Sequence, residues 1–155
     1  MAVRFEDSIF MALNKSDKPD MADRYQTSKL LGVFFIRALV EQIQLGKNAN
    51  QRVIMNMVNP GLCDSGLTRD ATGLQSAFFW LLKKILGRSA EVGSRTLIAG
   101  AAAREESHGC YMSECQLRDL SGLIMTDEGH ETQKRVYIEL IGILEAIQPG
   151  ISQNI

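Results

Sequence analysis

Apolar residues along this chain fall into segments with different rhythms. Between Met21 and Gly46 they recur on nearly every face of a helical projection: Leu30, Leu31, Val33, Phe34, Phe35, Ile36, Ala38, Leu39, Val40 and Ile43. The spacing predicts a long helix that begins near Met21 or Ala22, with Asp20 as candidate N-cap, and stops at Gly46. A helix that is apolar all round must be buried, within a domain or against another chain. Val53, Ile54, Met55, Met57 and Val58 then form a nearly unbroken apolar run. That is the pattern of a strand covered on both faces in a parallel sheet. Asn59-Pro60-Gly61 ends it, because proline cannot continue a ladder.

A loop through Asp64, Ser65, Gly66 and Thr68 leads to another apolar segment, 74–86, closed by Gly87. Ser89 is placed to cap a helix over 90–104, with Glu91 in its first turn, where the helix dipole favours an acid. A short strand over 109–113 and a loop over 114–121 follow. The last helix starts at Asp127 or Glu128 and runs to Ile147, where Gln148-Pro149-Gly150 stops it. Val136, Leu140, Ile143, Leu144 and Ile147 share one stripe, and Glu131 and Arg135 stand an i,i+4 step apart on the solvent side. Ahead of all this, Phe5, Ile9, Phe10 and Leu13 make an apolar start, and Ser8 and Ser16 read as loop residues. Helix, strand, helix, strand, helix is an α/β order, without internal repeats.

Composition narrows the class. The 155 residues are 45% hydrophobic and 23% charged, as in one ordinary globular domain. A net charge of −1, with no block of like charges, argues against non-specific nucleic-acid binding. The longest uncharged apolar runs, 30–36 and 77–82, fall short of the ~18–20 residues of a membrane span. Acidic residues within the N-terminal stretch exclude a secretory signal. Three cysteines, an odd number, fit reduced thiols in a cytoplasmic protein.

Chemistry concentrates at Tyr25-Gln26-Thr27-Ser28-Lys29. Positions 25 and 29 are helical neighbours, so a phenol and an ammonium leave one face together. A free phenol titrates near pH ~10. A cation about 4 Å away, at an effective dielectric of 20, is worth about 4 kcal/mol, or roughly three pKa units. One lysine is enough in magnitude. With three tyrosines in the chain, however, the spacing alone carries little weight. Other candidates read as structure: His108, Cys110 and Cys115 lack a zinc spacing, and Met55, Met57, Met112 and Met125 suit core gaps. Ser94 and Ser107 lack the glycines of a nucleophile elbow.

The order of these features resembles the C-terminal half of the short-chain dehydrogenase/reductase family. The matching runs are Met21-Ala22-Asp23-Arg24-Tyr25-Gln26-Thr27-Ser28-Lys29-Leu30-Leu31 and Asn59-Pro60-Gly61-Leu62-Cys63-Asp64-Ser65. They are most similar to fungal, retinol-dehydrogenase-like members found in secondary-metabolite pathways, and the resemblance covers essentially the whole chain. It implies that Tyr25 is the general acid/base and that Lys29 assists it and holds the nicotinamide ribose. Pro60, Gly61, Leu62 and Cys63 would meet the carboxamide end of NADP (or NAD), with Ser65 where the family commonly has threonine. Leu67, Thr68 and 74–86 would form the substrate lid.

The resemblance thus implies the C-terminal part of a Rossmann-type doubly wound parallel sheet. Its divisions would be a loop region over 1–20, the active-site helix over 21–46, a buried strand over 52–59 and a cofactor loop and lid over 60–87. A helix over 88–104, a short strand and loop over 109–126 and a C-terminal helix over 127–148 complete it. The family's Gly-x-x-x-Gly-x-Gly fingerprint, its first five strands, its asparagine and its catalytic serine have no counterpart in the sequence. The isolated chain is therefore expected to bind nicotinamide cofactor weakly or not at all. Two functions follow. One is an oxidoreductase acting on a small carbonyl or alcohol. The other is a non-catalytic remnant serving as an interaction or dimerisation module, self-associating through the 22–45 helix.

Overall fold

The computed structural model describes residues 8–15, 21–46, 53–66 and 72–154. They form five α-helices and a three-stranded sheet, in the order α1 (Ile9–Asn14), α2 (Met21–Leu45), β1 (Met57–Asn59), α3 (Gly73–Leu86), α4 (Ala90–Ala102), β2 (Tyr111–Ser113), β3 (Gln116–Arg118) and α5 (Asp127–Ile147). The chain divides into two compact units, Met1–Val53 with Leu120–Ile155, and Ile54–Asp119.

In the first unit α2 packs on α5. Phe34 and Ala38 of α2 and Val136 of α5 are buried, and Phe35 stacks on Tyr137 with ring centroids 6.0 Å apart. Burial of the Tyr137 ring pushes its hydroxyl pKa above the ordinary value. α2 is less enclosed than its apolar circumference predicts: Leu45 at its end is exposed, and many of its large residues are half-buried. The stripe of α5 is buried at Val136 but open at Ile143 and Ile147. Asp20, the expected cap of α2, lies outside the described residues. α5 is capped by Thr126, whose hydroxyl accepts from the Gly129 N–H at 3.1 Å. A β-carbon at Gly129 would stand 1.9 Å from the Leu123 carbonyl oxygen, so only glycine lets the preceding turn fold back so closely. Glu131 pairs with Lys134.

Ser8, expected in a loop, is a buried N-cap. It accepts from the Met11 N–H at 3.3 Å and donates to Glu139 Oε2 at 2.9 Å, and the same oxygen accepts from the Ile9 N–H at 2.8 Å. A carboxylate 131 residues away along the chain thus finishes the start of α1. Ser16 lies outside the described residues.

In the second unit β2 is the central strand, parallel to β1 and antiparallel to β3. The sheet is α/β but mixed, where the sequence predicts parallel strands alone. A two-residue turn, Glu114-Cys115, can only reverse the chain, so the expected loop over 114–121 contributes a hairpin strand. The ladder of β1 covers Met57–Asn59, with Val53 exposed and Arg52 outside the described residues. Ser89 caps α4, accepting from the Val92 N–H at 3.2 Å. α4 packs on β1, and Gly93, Thr96 and Gly100 form its one buried face. A β-carbon at Gly100 would meet Val58 Cγ2 at 2.5 Å. Asn56 Nδ2 donates to the Gly100 carbonyl at 2.8 Å and to Ser107 Oγ at 3.1 Å.

Candidate active site

Tyr25 and Lys29 lie in the first unit, in the opening turns of α2. Helical spacing brings them together: the Lys29 ammonium sits over the Tyr25 ring, 5.3 Å from its centroid. Tyr25 is 48% exposed, so the side chain is not enclosed by its own unit. Ser28 donates its hydroxyl back to the Tyr25 carbonyl at 2.7 Å, which keeps that side chain on the helix surface. The pair presents a proton-carrying oxygen and a fixed positive charge on one face, the elements needed to exchange a proton with a substrate oxygen.

Residues 60–65 lie in the second unit, directly after β1. Asn59 Oδ1 accepts from the Gly61 N–H at 2.9 Å, closing an Asx turn around Pro60. Gly61 has φ +76°, a left-handed conformation that suits glycine. Cys63 pairs with Arg88 in a short parallel bridge: Arg88 N–H donates to the Leu62 carbonyl and Asp64 N–H to the Arg88 carbonyl, both at 2.8 Å. In this register the N–H and C=O of Cys63 itself point to the opposite edge. Cys63 Sγ donates to the Pro60 carbonyl at 3.4 Å. Lys83 donates to the Ser65 carbonyl at 2.6 Å and lies 3.7 Å from an Asp64 carboxylate oxygen. The turn is thus tied along one edge by the Arg88 backbone and near its end by the Lys83 ammonium, and a backbone donor faces the edge opposite Arg88.

The 74–86 segment, expected to belong to the substrate lid, is helical, as α3. Leu74, Phe78, Leu81 and Ile85 form an exposed stripe along it, while Lys83 tucks in towards 64–65. Leu67 and Thr68 lie outside the described residues. Sequence reasoning missed Lys83 and Arg88, because their partners lie 18 and 26 residues away; a cation immediately before the Ser89 cap is a faint signal. His108 has a structural part, its Nδ1 accepting from the Met55 N–H at 3.3 Å. Cys63, Cys110 and Cys115 are free thiols. Among the described residues no cluster could hold a metal ion, and no helix is long and apolar enough to cross a membrane.

Comparison with known proteins finds fungal relatives. The chain is 45% identical over 132 residues to the short chain dehydrogenase/reductase dmxR8 of Cryptosporiopsis, a match covering 85% of this chain and 39% of the relative. It is 39% identical over 150 residues to the short chain dehydrogenase FGM9 of Gibberella zeae, covering 97% and 43%. With the short-chain dehydrogenase anuD of Penicillium roqueforti it shares 36% identity over 145 residues, 92% of this chain and 38% of the relative. The chain spans about two fifths of the length of these relatives, matching their C-terminal part. No family model and no solved structure matches.

Proposed function

The chain belongs to the short-chain dehydrogenase/reductase family, and on that premise we propose that it carries the proton-transfer pair and the nicotinamide-facing turn of an NAD(P)-dependent oxidoreductase. The observation that carries this reading is the pair itself, with the Lys29 ammonium 5.3 Å from the centroid of an accessible Tyr25 ring. Tyr25 gives a proton to a carbonyl oxygen during reduction, or takes one from an alcohol during oxidation. The fixed charge of Lys29 offsets negative charge developing on the phenolic oxygen, and its N–H groups serve the ribose hydroxyls.

Nicotinamide, when bound, supplies or accepts the hydride. The turn after β1 fits such a group. Its Cys63 N–H faces away from the edge that Arg88 occupies, leaving a backbone donor for an amide oxygen. Pro60, Gly61, Leu62 and Cys63 would hold the carboxamide end, and Ser65 would add a hydroxyl. NADP is the first cofactor to try. A parallel β1–β2 pair with α4 laid on it is what the C-terminal part of a doubly wound sheet would present. The substrate would be a small carbonyl or alcohol of secondary metabolism, and three free thiols suit a cytoplasmic setting.

A chimera tests this reading, with this chain replacing the corresponding C-terminal part of the 45%-identical relative. It should consume NADPH with a panel of aldehydes and ketones. A folded chimera that binds NADPH yet turns over no carbonyl that the parent relative reduces would overturn the proposal.

A further inference from the structure

Arg88 reaches the 60–65 turn through both its backbone and its side chain. The backbone forms the bridge opposite Cys63, through Leu62 and Asp64. The guanidinium lies over Gly61, with Nη1 3.5 Å from where a β-carbon on that glycine would stand. Its Nη2 is ion-paired with Glu114 at the tip of the β2–β3 hairpin. That tip is unusual: Glu114 and Cys115 take φ of 56° and 61°, a turn that ordinarily selects Asn-Gly. Two non-glycine residues carry the steric cost of the left-handed region there. From this turn the Glu114 carboxylate meets Arg88.

We propose that Arg88, anchored by Glu114, is a positioning residue that fixes the 60–65 turn with the Cys63 N–H on its ligand-facing edge. This rests on reading 60–65 as the nicotinamide-facing turn. The backbone bridge survives a change of side chain, whereas the guanidinium clamp does not, so the two are separable by mutation. The ion pair is partly solvent-exposed, so its removal should loosen the turn modestly, by about two- to fivefold.

Amide hydrogen exchange on the 155-residue chain, without cofactor, tests the clamp. The proteins compared are wild type, Arg88→Gln, Glu114→Gln and the double variant. Exchange at 61–65 should rise about two- to fivefold in each single variant and no further in the double, with the α4 peptide over 93–100 unchanged. In the chimera described above, either single variant should weaken NADPH binding by a similar factor, while the rate at saturating NADPH stays at the parent level. Unchanged exchange at 61–65 overturns the proposal, as does an equal rise across α4 and β2, or an additive double variant. If the parent chimera fails to bind NADPH, the cofactor reading falls, and the cofactor-free exchange still decides whether Arg88 positions the turn.

Discussion

Gly93 is the point where α4 rests on the turn after β1, and replacing it with alanine measures how tight that seat is. A β-carbon at 93 would stand 2.2 Å from Cys63 Sγ, 3.5 Å from Cys63 Cβ and 3.7 Å from Pro60 Cβ. The first distance is far inside van der Waals contact, so either the thiol must swing or the helix must lift. Swinging the thiol breaks its hydrogen bond to the Pro60 carbonyl. Overpacking of this kind costs about 1–3 kcal/mol. Alanine in place of glycine inside a helix gains about 1 kcal/mol. Gly93→Ala should therefore destabilise by about 0–2 kcal/mol. With Cys63→Ala already present, the nearest neighbour is a β-carbon at ordinary contact distance, and the same change should stabilise by about 1 kcal/mol. The coupling between the two positions is then about 1–3 kcal/mol, above the ~0.5 kcal/mol scatter of independent sites. Urea denaturation of the four proteins, followed by circular dichroism, reads it directly. A Gly93→Ala effect equal on both backgrounds within about 0.5 kcal/mol would refute the contact.

Three further outcomes are expected. Glu139→Ala removes the carboxylate that accepts from the Ser8 hydroxyl and the Ile9 N–H; it should cost about 1–3 kcal/mol, with amide exchange in α1 rising ahead of that in α5. Glu145 accepts hydrogen bonds from the Ser152 hydroxyl, the Ser152 N–H and the Gly150 N–H, which hold its carboxyl below the ordinary 4.5. A lowered folded-state pKa gives stability that is complete above the unfolded value and lost as pH falls through the folded value, so the Ile151–Asn154 turn should loosen only below pH 4.5. The Gly150 and Ser152 amide shifts report this; a transition centred above pH 4.5, or one that persists in Glu145→Gln, would contradict it. Because no Gly-x-x-x-Gly-x-Gly run occurs in the sequence, titration of the 155-residue chain with NADPH should show millimolar or weaker binding. A submillimolar Kd would contradict that expectation.

What could be read from the sequence was local. α2 and α5 run within a residue of their expected limits, because a long apolar pattern and cap or stop residues act on the chain nearby. The Tyr25–Lys29 pair was legible for the same reason, since helical spacing alone brings it together. The β2–β3 hairpin was not legible, because its turn uses Glu114-Cys115 in place of the glycine or asparagine that marks such turns. α1 was hidden too: six residues cannot hold a helix alone, and its cap partner, Glu139, is supplied by α5. The ties of Lys83 and Arg88 to the 60–65 turn were invisible for a related reason. They are fixed by how α3 and the hairpin return to the turn, not by any spacing along the chain.

Tyr25 as the proton carrier is the centre of this picture, and Tyr25→Phe in the chimera addresses it most directly, because the change removes one oxygen from an exposed side chain and leaves the ring. Turnover with NADPH and a carbonyl substrate should fall about 10²–10⁴-fold, while the Kd for NADPH moves less than about twofold. Turnover within about threefold of the parent would remove Tyr25 from the chemistry.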